Sequence, residues 1–154
     1  MDRMPRSDRA PGDSCAGVPT PWLLRRASQR YRDASRRAIG EAGYSDLPQP
    51  GFWALDALAA KDCDASQLVS QMGISKQAVS KLVDQLVASA YVERLDSPSD
   101  RRRVVLRLTA KGRKAARVLR GAIDQTDRAL VRRHGTDSLA HLRRLLGEVV
   151  DDQQ

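Results

Sequence analysis

Apolar residues recur along this chain at two different spacings, and the places where the spacing changes mark its elements. From Trp22 onward, Leu24, Ala27, Tyr31, Ala34 and Ala38 fall at three- and four-residue steps, while Arg25, Arg26, Arg30, Arg32, Arg36 and Arg37 occupy the other faces. That spacing predicts an amphipathic helix over 22–42, ended by Gly43. Beyond Pro48 and Pro50, the positions Phe52, Leu55, Leu58 and Ala59 predict a shorter helix that stops near Ala60. Asp64 stands where a helix N-cap is wanted, ahead of a short helix over 65–71 that buries Leu68. An MGIS turn at Gly73 leads into a longer helix opening at Ser75, with Val79, Leu82, Val83 and Leu86 turned inward.

The period then drops to two. YVERLD and VVLRL alternate apolar with polar positions, and the turn-forming SPSDRR lies between them, so the pair predicts a β-hairpin. Thr109 caps the next helix, over 110–133, whose apolar set is Ala115, Leu119, Ala122, Thr126 and Leu130. Such a helix is roughly 36 Å long. Gly135 breaks it, and Thr136 opens a last helix with the stripe Leu139, Leu142, Leu146 and Val149.

Two helices joined by a short Gly-containing turn form the helix-turn-helix pattern, and the hairpin behind it is a wing. The expected fold is mainly α with a small β-wing, a single domain overall. The winged helix-turn-helix spans 46–109, and long N- and C-terminal helices, over 21–45 and 110–150, form a helical dimerisation region. Apolar-striped helices at both chain ends are longer than a small monomer needs and leave a surface that a second copy covers. Residues 1–20, rich in Pro, Gly, Ser and charge, predict a disordered tail.

Charge narrows the class of partner. The formal net charge is +8 and the pI about 10.2, which favours a polyanion through long-range attraction and counterion release. Arginine supplies 22 of the 27 cations, a skew that a GC-rich genome also produces, so position carries more weight than abundance. Residues 75–111 hold eight cations against four carboxylates, half of the formal excess. No apolar run approaches the ~20 residues of a membrane span, and the first residues lack the apolar core of a signal peptide, so a cytoplasmic location is expected. Cys15 and Cys63 form neither a disulfide framework nor a CxxC pair, and Cys63 reads as a buried or loop thiol. His134 and His141, separated by Gly135, read as solvated. There is no Walker-type phosphate loop, no HExxH zinc helix and no GxSxG elbow, so no enzyme, cofactor or metal site is expected.

The candidate chemistry lies on the helix after Gly73. With its apolar residues inward, Ser75, Lys76, Gln77, Ser80 and Lys81 point outward from its N-terminal half. Those are the residue types and the half-helix that meet base edges in a DNA major groove, Gln suiting adenine and Lys suiting guanine or phosphate. The hairpin tip carries Arg101, Arg102 and Arg103 in a row, placed for a minor groove or for flanking phosphates. Asp100 repels phosphate unless it holds a neighbouring guanidinium in one orientation.

The stretch GISKQAVSKLVDQLVASAYVERLDSPSDRRRVVLRLTAKG resembles the winged-helix core of the MarR (multiple antibiotic resistance regulator) family of bacterial transcription regulators. The pattern D-x-R, five residues, then L-T is met by Asp100, Arg102, Leu108 and Thr109, and the resemblance extends over 22–150. It implies a homodimer with interlocked terminal helices, bound to a near-palindromic operator in double-stranded DNA. It also implies that Arg102 enters the minor groove with Asp100 as its orienting partner. Tyr31, Phe52 and Trp53 would line a pocket for a small aromatic or anionic effector. Two positions depart from the pattern. Ala90 stands where glycine is common, and alanine in a left-handed turn costs on the order of 1 kcal/mol. Arg103 follows Arg102 where a small or apolar residue is usual. The expected function is a sequence-specific repressor released by a small molecule. Its rivals are a sequence-indifferent architectural DNA protein and a winged-helix protein-interaction module.

Overall fold

The computed structural model describes residue 15, residues 17–96 and residues 104–151. Most of the expected tail and all of the hairpin tip, Asp100, Arg101, Arg102 and Arg103 included, lie outside the described residues. The elements run α1 (Thr20–Glu41), α2 (Gly51–Ala60), α3 (Ala65–Met72), α4 (Lys76–Ala88), β1 (Val92–Asp96), β2 (Val104–Leu108), α5 (Ala110–His134) and α6 (Thr136–Asp151). The mainly helical fold with a two-stranded wing matches the expectation. One boundary moves: α1 opens at Thr20, inside the stretch expected as tail, because Pro19 sits at its N-cap and a proline in its first turn suits a helix start.

Each short helix begins on a side chain that satisfies its open backbone. Asp64 and Gln67 form a reciprocal capping box at α3, in which each side chain accepts from the other's N–H. Gly73 closes that helix at φ 62°, a left-handed position suited to glycine. Ser75 Oγ accepts from the Ala78 N–H to start α4, and Thr109 Oγ1 accepts from the Gly112 N–H to start α5. The strands pair antiparallel from Val92 opposite Leu108 to Asp96 opposite Val104. Cys63 adds an isolated bridge to Leu106, so the loop before α3 extends the sheet by one residue.

The core lies in the winged-helix lobe. Leu55, Leu68, Val79, Leu86, Tyr91 and Leu106 are sealed from solvent, joined by Ala115 and Leu119 from the first half of α5. By contrast α1 buries only Ser35 and Ile39, and α6 buries none of its residues. α5 runs along α1 and α2 and meets α6 at its far end.

A tight junction joins the end of α4 to the start of α5. Ala90 does adopt the left-handed conformation, with φ 57°, where an L-residue is strained. Its carbonyl accepts from Thr109 Oγ1 at 2.6 Å. Gly112 packs so closely beneath the turn that a Cβ there would stand 2.0 Å from the Tyr91 carbonyl oxygen. The buried Tyr91 ring sends its hydroxyl to Asp46 in the loop after α1. Lys111 crosses that ring with its ammonium 4.1 Å from the centroid, donating to Asp46 at 2.8 Å and to the Ser89 carbonyl at 3.0 Å.

Candidate nucleic-acid interface

The outward face of α4 follows from its inward one. Val79, Leu82, Val83 and Leu86 are buried, which leaves Lys76, Gln77, Ser80 and Lys81 exposed on the N-terminal half, as the apolar spacing predicts. Ser75 is exposed too, but its hydroxyl oxygen is engaged in the cap. Its O–H remains a donor, so this side chain can both hold the helix start and offer one hydrogen bond outward.

The position of the hairpin relative to α4 is fixed by two ion pairs. Arg94 of β1 donates to Asp84 of α4 at 2.6 Å, and Arg107 of β2 donates to Asp62 ahead of α3 at 2.7 Å. Both pairs are half exposed and contribute little energy, but each joins the wing to the helix-turn-helix by a directional contact. The first also sets direction. Asp84 lies about 7 Å back along α4 from the junction, and Arg94 about 10 Å along β1 from the same point. β1 therefore runs back beside α4, and the strand ends Asp96 and Val104 lie on the Ser75 side of the junction.

Neither ion pair is signalled by sequence spacing. Asp62 and Arg107 are 45 residues apart, as are Asp46 and Tyr91. The Lys111 ammonium, and then the Tyr91 hydroxyl, hold the Asp46 carboxyl below the ordinary carboxylate range. Burial first, and Asp46 second, push the Tyr91 hydroxyl upward.

The three aromatic residues named for an effector pocket have separate surroundings. Tyr31 donates to Asp127 at 2.6 Å, and Asp127 also accepts from Arg143, so one carboxylate ties α1, α5 and α6 together. Burial and then that bond push the Tyr31 hydroxyl up to about 12. Phe52 packs against the core. Trp53 is 63% exposed and lines an open groove with Arg32, Pro50, Met72 and Ile74. A second groove lies between α2, β2 and α5, lined by Leu58, Lys61, Arg107, Arg113, Arg117 and Arg120 among others.

Cys63 is buried, and its thiol is pushed up by burial and then by Asp64 and Asp62, the reverse of what a reactive cysteine needs. His134 and His141 are exposed, and Arg144 meets His141 Nδ1 at 2.8 Å. Among the described residues no group of His, Cys, Asp and Glu could hold a metal ion, and no helix is long and apolar enough to cross a membrane.

Charge is divided unevenly along the chain. The segment 46–109 carries eight cations and eight carboxylates and is formally neutral. Residues 20–45 carry six cations against two carboxylates, and residues 110–134 carry eight against two. The excess that suggested a polyanion therefore resides on α1 and α5, and α4 presents Lys76 and Lys81 within a lobe of balanced charge.

Comparison with known proteins completes the description. Residues 45–103 match the family described as the MarR family. The exopolysaccharide II synthesis transcriptional activator ExpG of Rhizobium meliloti (strain 1021) is 27% identical over 108 residues, covering 70% of this chain. The chain spans 56% of the length of that curated relative. A MarR family transcriptional regulator from Silicibacter pomeroyi is 26% identical with a TM-score of 0.72, the match covering 94% of this chain and 95% of that one. The transcriptional repressor CouR, solved bound to a 23-mer DNA duplex, is 22% identical with a TM-score of 0.70, over 88% of this chain and 95% of its own.

Proposed function

Because this chain belongs to the MarR family of transcription regulators, its winged-helix segment carrying the match over 45–103, we propose that it binds operator DNA as a homodimer and represses transcription until a small effector releases it. The observation that carries this reading is the shared direction of two surfaces. The exposed Lys76, Gln77, Ser80 and Lys81 lie at one end of α4, and the hairpin strands are held by Asp84–Arg94 so that they open toward the same end. A duplex meeting that side receives α4 in its major groove and the wing arginines, with Arg102 foremost and Asp100 orienting it, in the flanking minor groove.

Dimerisation is supported by the chain ends. Leu142, Leu145 and Val149 fall at i, i+3 and i+7 along α6 and are 44%, 44% and 61% exposed, an apolar stripe that a second copy would cover. Of the aromatic residues, Trp53 keeps the best claim to the effector, since its groove is open and the Tyr31 hydroxyl is already engaged. An activating role is the second reading, favoured by the name of the Rhizobium relative. Acting on chromosomal DNA, the protein works in the cytoplasm.

Selection of binding sites from a random-sequence duplex pool tests the proposal. It should enrich an inverted repeat with half-sites ~10 base pairs apart, and recovery of no preferred site would leave the architectural rival standing. Within an enriched site, Gln77→Ala should relax one base position by ~1–3 kcal/mol and leave nonspecific affinity nearly unchanged, as read by competition titration.

A further inference from the structure

Three cations cluster near the start of α5. Arg113, Lys114 and Arg117 lie within its first eight residues, and its first turn holds no acidic residue. Lys111 nearby is accounted for by Asp46, and Arg120 by Asp56 at 2.6 Å. Arg113, Lys114 and Arg117 are exposed and pair with no carboxylate among the described residues, Arg113 donating only to the Leu108 carbonyl. Arg113 and Arg117 line the groove with Lys61, Arg107 and Arg120, and because the lining carboxylates Asp62 and Asp56 are already taken by Arg107 and Arg120, the α5 cations and Lys61 leave that face with positive charge in excess.

That face is not the one that reads DNA. α5 starts at the C-terminal end of α4, where Thr109 bonds the Ala90 carbonyl, and α4 is 13 residues long, which puts the patch about 20 Å from the Ser75 end. From there α5 packs along α2 and α1 and so leads away from α4. The two surfaces thus sit at opposite ends of α4, with α5 carrying the patch away from the side that the operator would meet. Nor does the patch suit a seam between protomers, because burying cations that no carboxylate pairs with among the described residues costs more than burying the apolar stripe of α6.

We propose that the Arg113, Lys114, Arg117 face is a second, sequence-indifferent site for the phosphate backbone of double-stranded DNA, so that a protein bound at its operator also captures another duplex. This rests on the reading of α4 as the operator-binding helix. Guanidinium groups converging on an open groove suit the paired oxygens of successive phosphates, and neutral charge on the reading lobe leaves nonspecific attraction to α5.

The test uses the full-length protein, a bead-bound duplex carrying a selected site and a fluorescent 40-base-pair duplex of random sequence. Wild type should retain the fluorescent duplex on the beads, with retention falling steeply as salt rises. The triple variant R113Q/K114Q/R117Q should lose at least ten-fold of that retention while its operator affinity and its melting temperature stay within two-fold and a few degrees of wild type. The variant's neutral side chains are good helix formers, so folding is preserved. Retention of the second duplex by the variant at the wild-type level overturns the proposal, as does failure of the wild type to retain it. Capture of anionic vesicles or of an acidic polypeptide with no second duplex also overturns it. Two random-sequence duplexes, one on the beads and one free, run the same comparison without an operator, so failure to find a selected site refutes the operator reading and leaves this one separately decided.

Discussion

The winged-helix lobe and the helical ends solve opposite problems. The lobe closes a continuous core from Leu55 to Leu108 around Tyr91, balances its charges and fixes its hairpin with directional pairs. The ends keep apolar and cationic surface outward: α6 buries nothing, α1 buries two residues, and Val149 and Val150 are 61% and 71% exposed. A recognition surface has to hold its shape before it meets a partner, since a helix displaced by a fraction of a groove loses its contacts. The ends need only complementary stickiness, and in the proposed dimer a partner copy would complete them.

Substitutions can break that contrast in order of size. Gly112→Ala should be the most damaging, because a methyl group 2.0 Å from the Tyr91 carbonyl forces α4 and α5 apart. A loss of about 3 kcal/mol or more is expected in denaturant unfolding, and a fully stable variant would show that the junction is looser than described. The paired change Leu145→Asp with Val149→Asp should instead separate protomers, raising the dimer dissociation constant about 100-fold in sedimentation equilibrium with little change in lobe stability. Should lobe and dimer be lost together, the two regions are one cooperative unit. Ala90→Gly should stabilise the lobe by about 1 kcal/mol, seen as a rise of about 3 °C in melting temperature, by relieving the left-handed alanine.

The smallest effect is pH-dependent. The Asp46 carboxyl is lowered from its ordinary value of 3.8, chiefly by Lys111, so its contribution is present above that value and is lost as pH falls through the lower folded value. Asp46→Asn should therefore melt below wild type at pH 7, and the difference should begin to shrink only as pH falls past 3.8 and vanish below the lowered folded value. A difference that persists in acid would assign the effect to the Tyr91 hydrogen bond alone.

The elements were legible because their signals are local. Period-3.6 spacing locates the longer helices and period-2 spacing both strands, the short α3 is marked by its Asp64 cap, and Ser75 and Thr109 announce two more helix starts. The outward residues of α4 follow from the same spacing. What sequence does not announce is long-range: the Asp46, Tyr91, Lys111 cluster and the pairs Asp84–Arg94 and Asp62–Arg107 join residues that no periodicity relates. Composition also misdirects. Counting 75–111 makes the winged-helix lobe seem cationic, but Asp46, Asp56, Asp62 and Asp64 lie just upstream and cancel the excess. Tyr31 shows the same limit, since an aromatic residue at helical spacing gives no hint that its hydroxyl is held by Asp127, 96 residues away.

One uninterrupted helix belongs to both regions. α5 is stitched to the end of α4 at Thr109, and its later turns are pinned to α1 and α6 through Asp127. Its 25 residues make it a lever about 37 Å long. Swinging such a rod by 5° moves its tip about 3 Å, close to the spacing of stacked base pairs along a duplex, so in the proposed dimer a modest rearrangement where the copies meet would be enough to throw α4 out of step with the bases it is proposed to read.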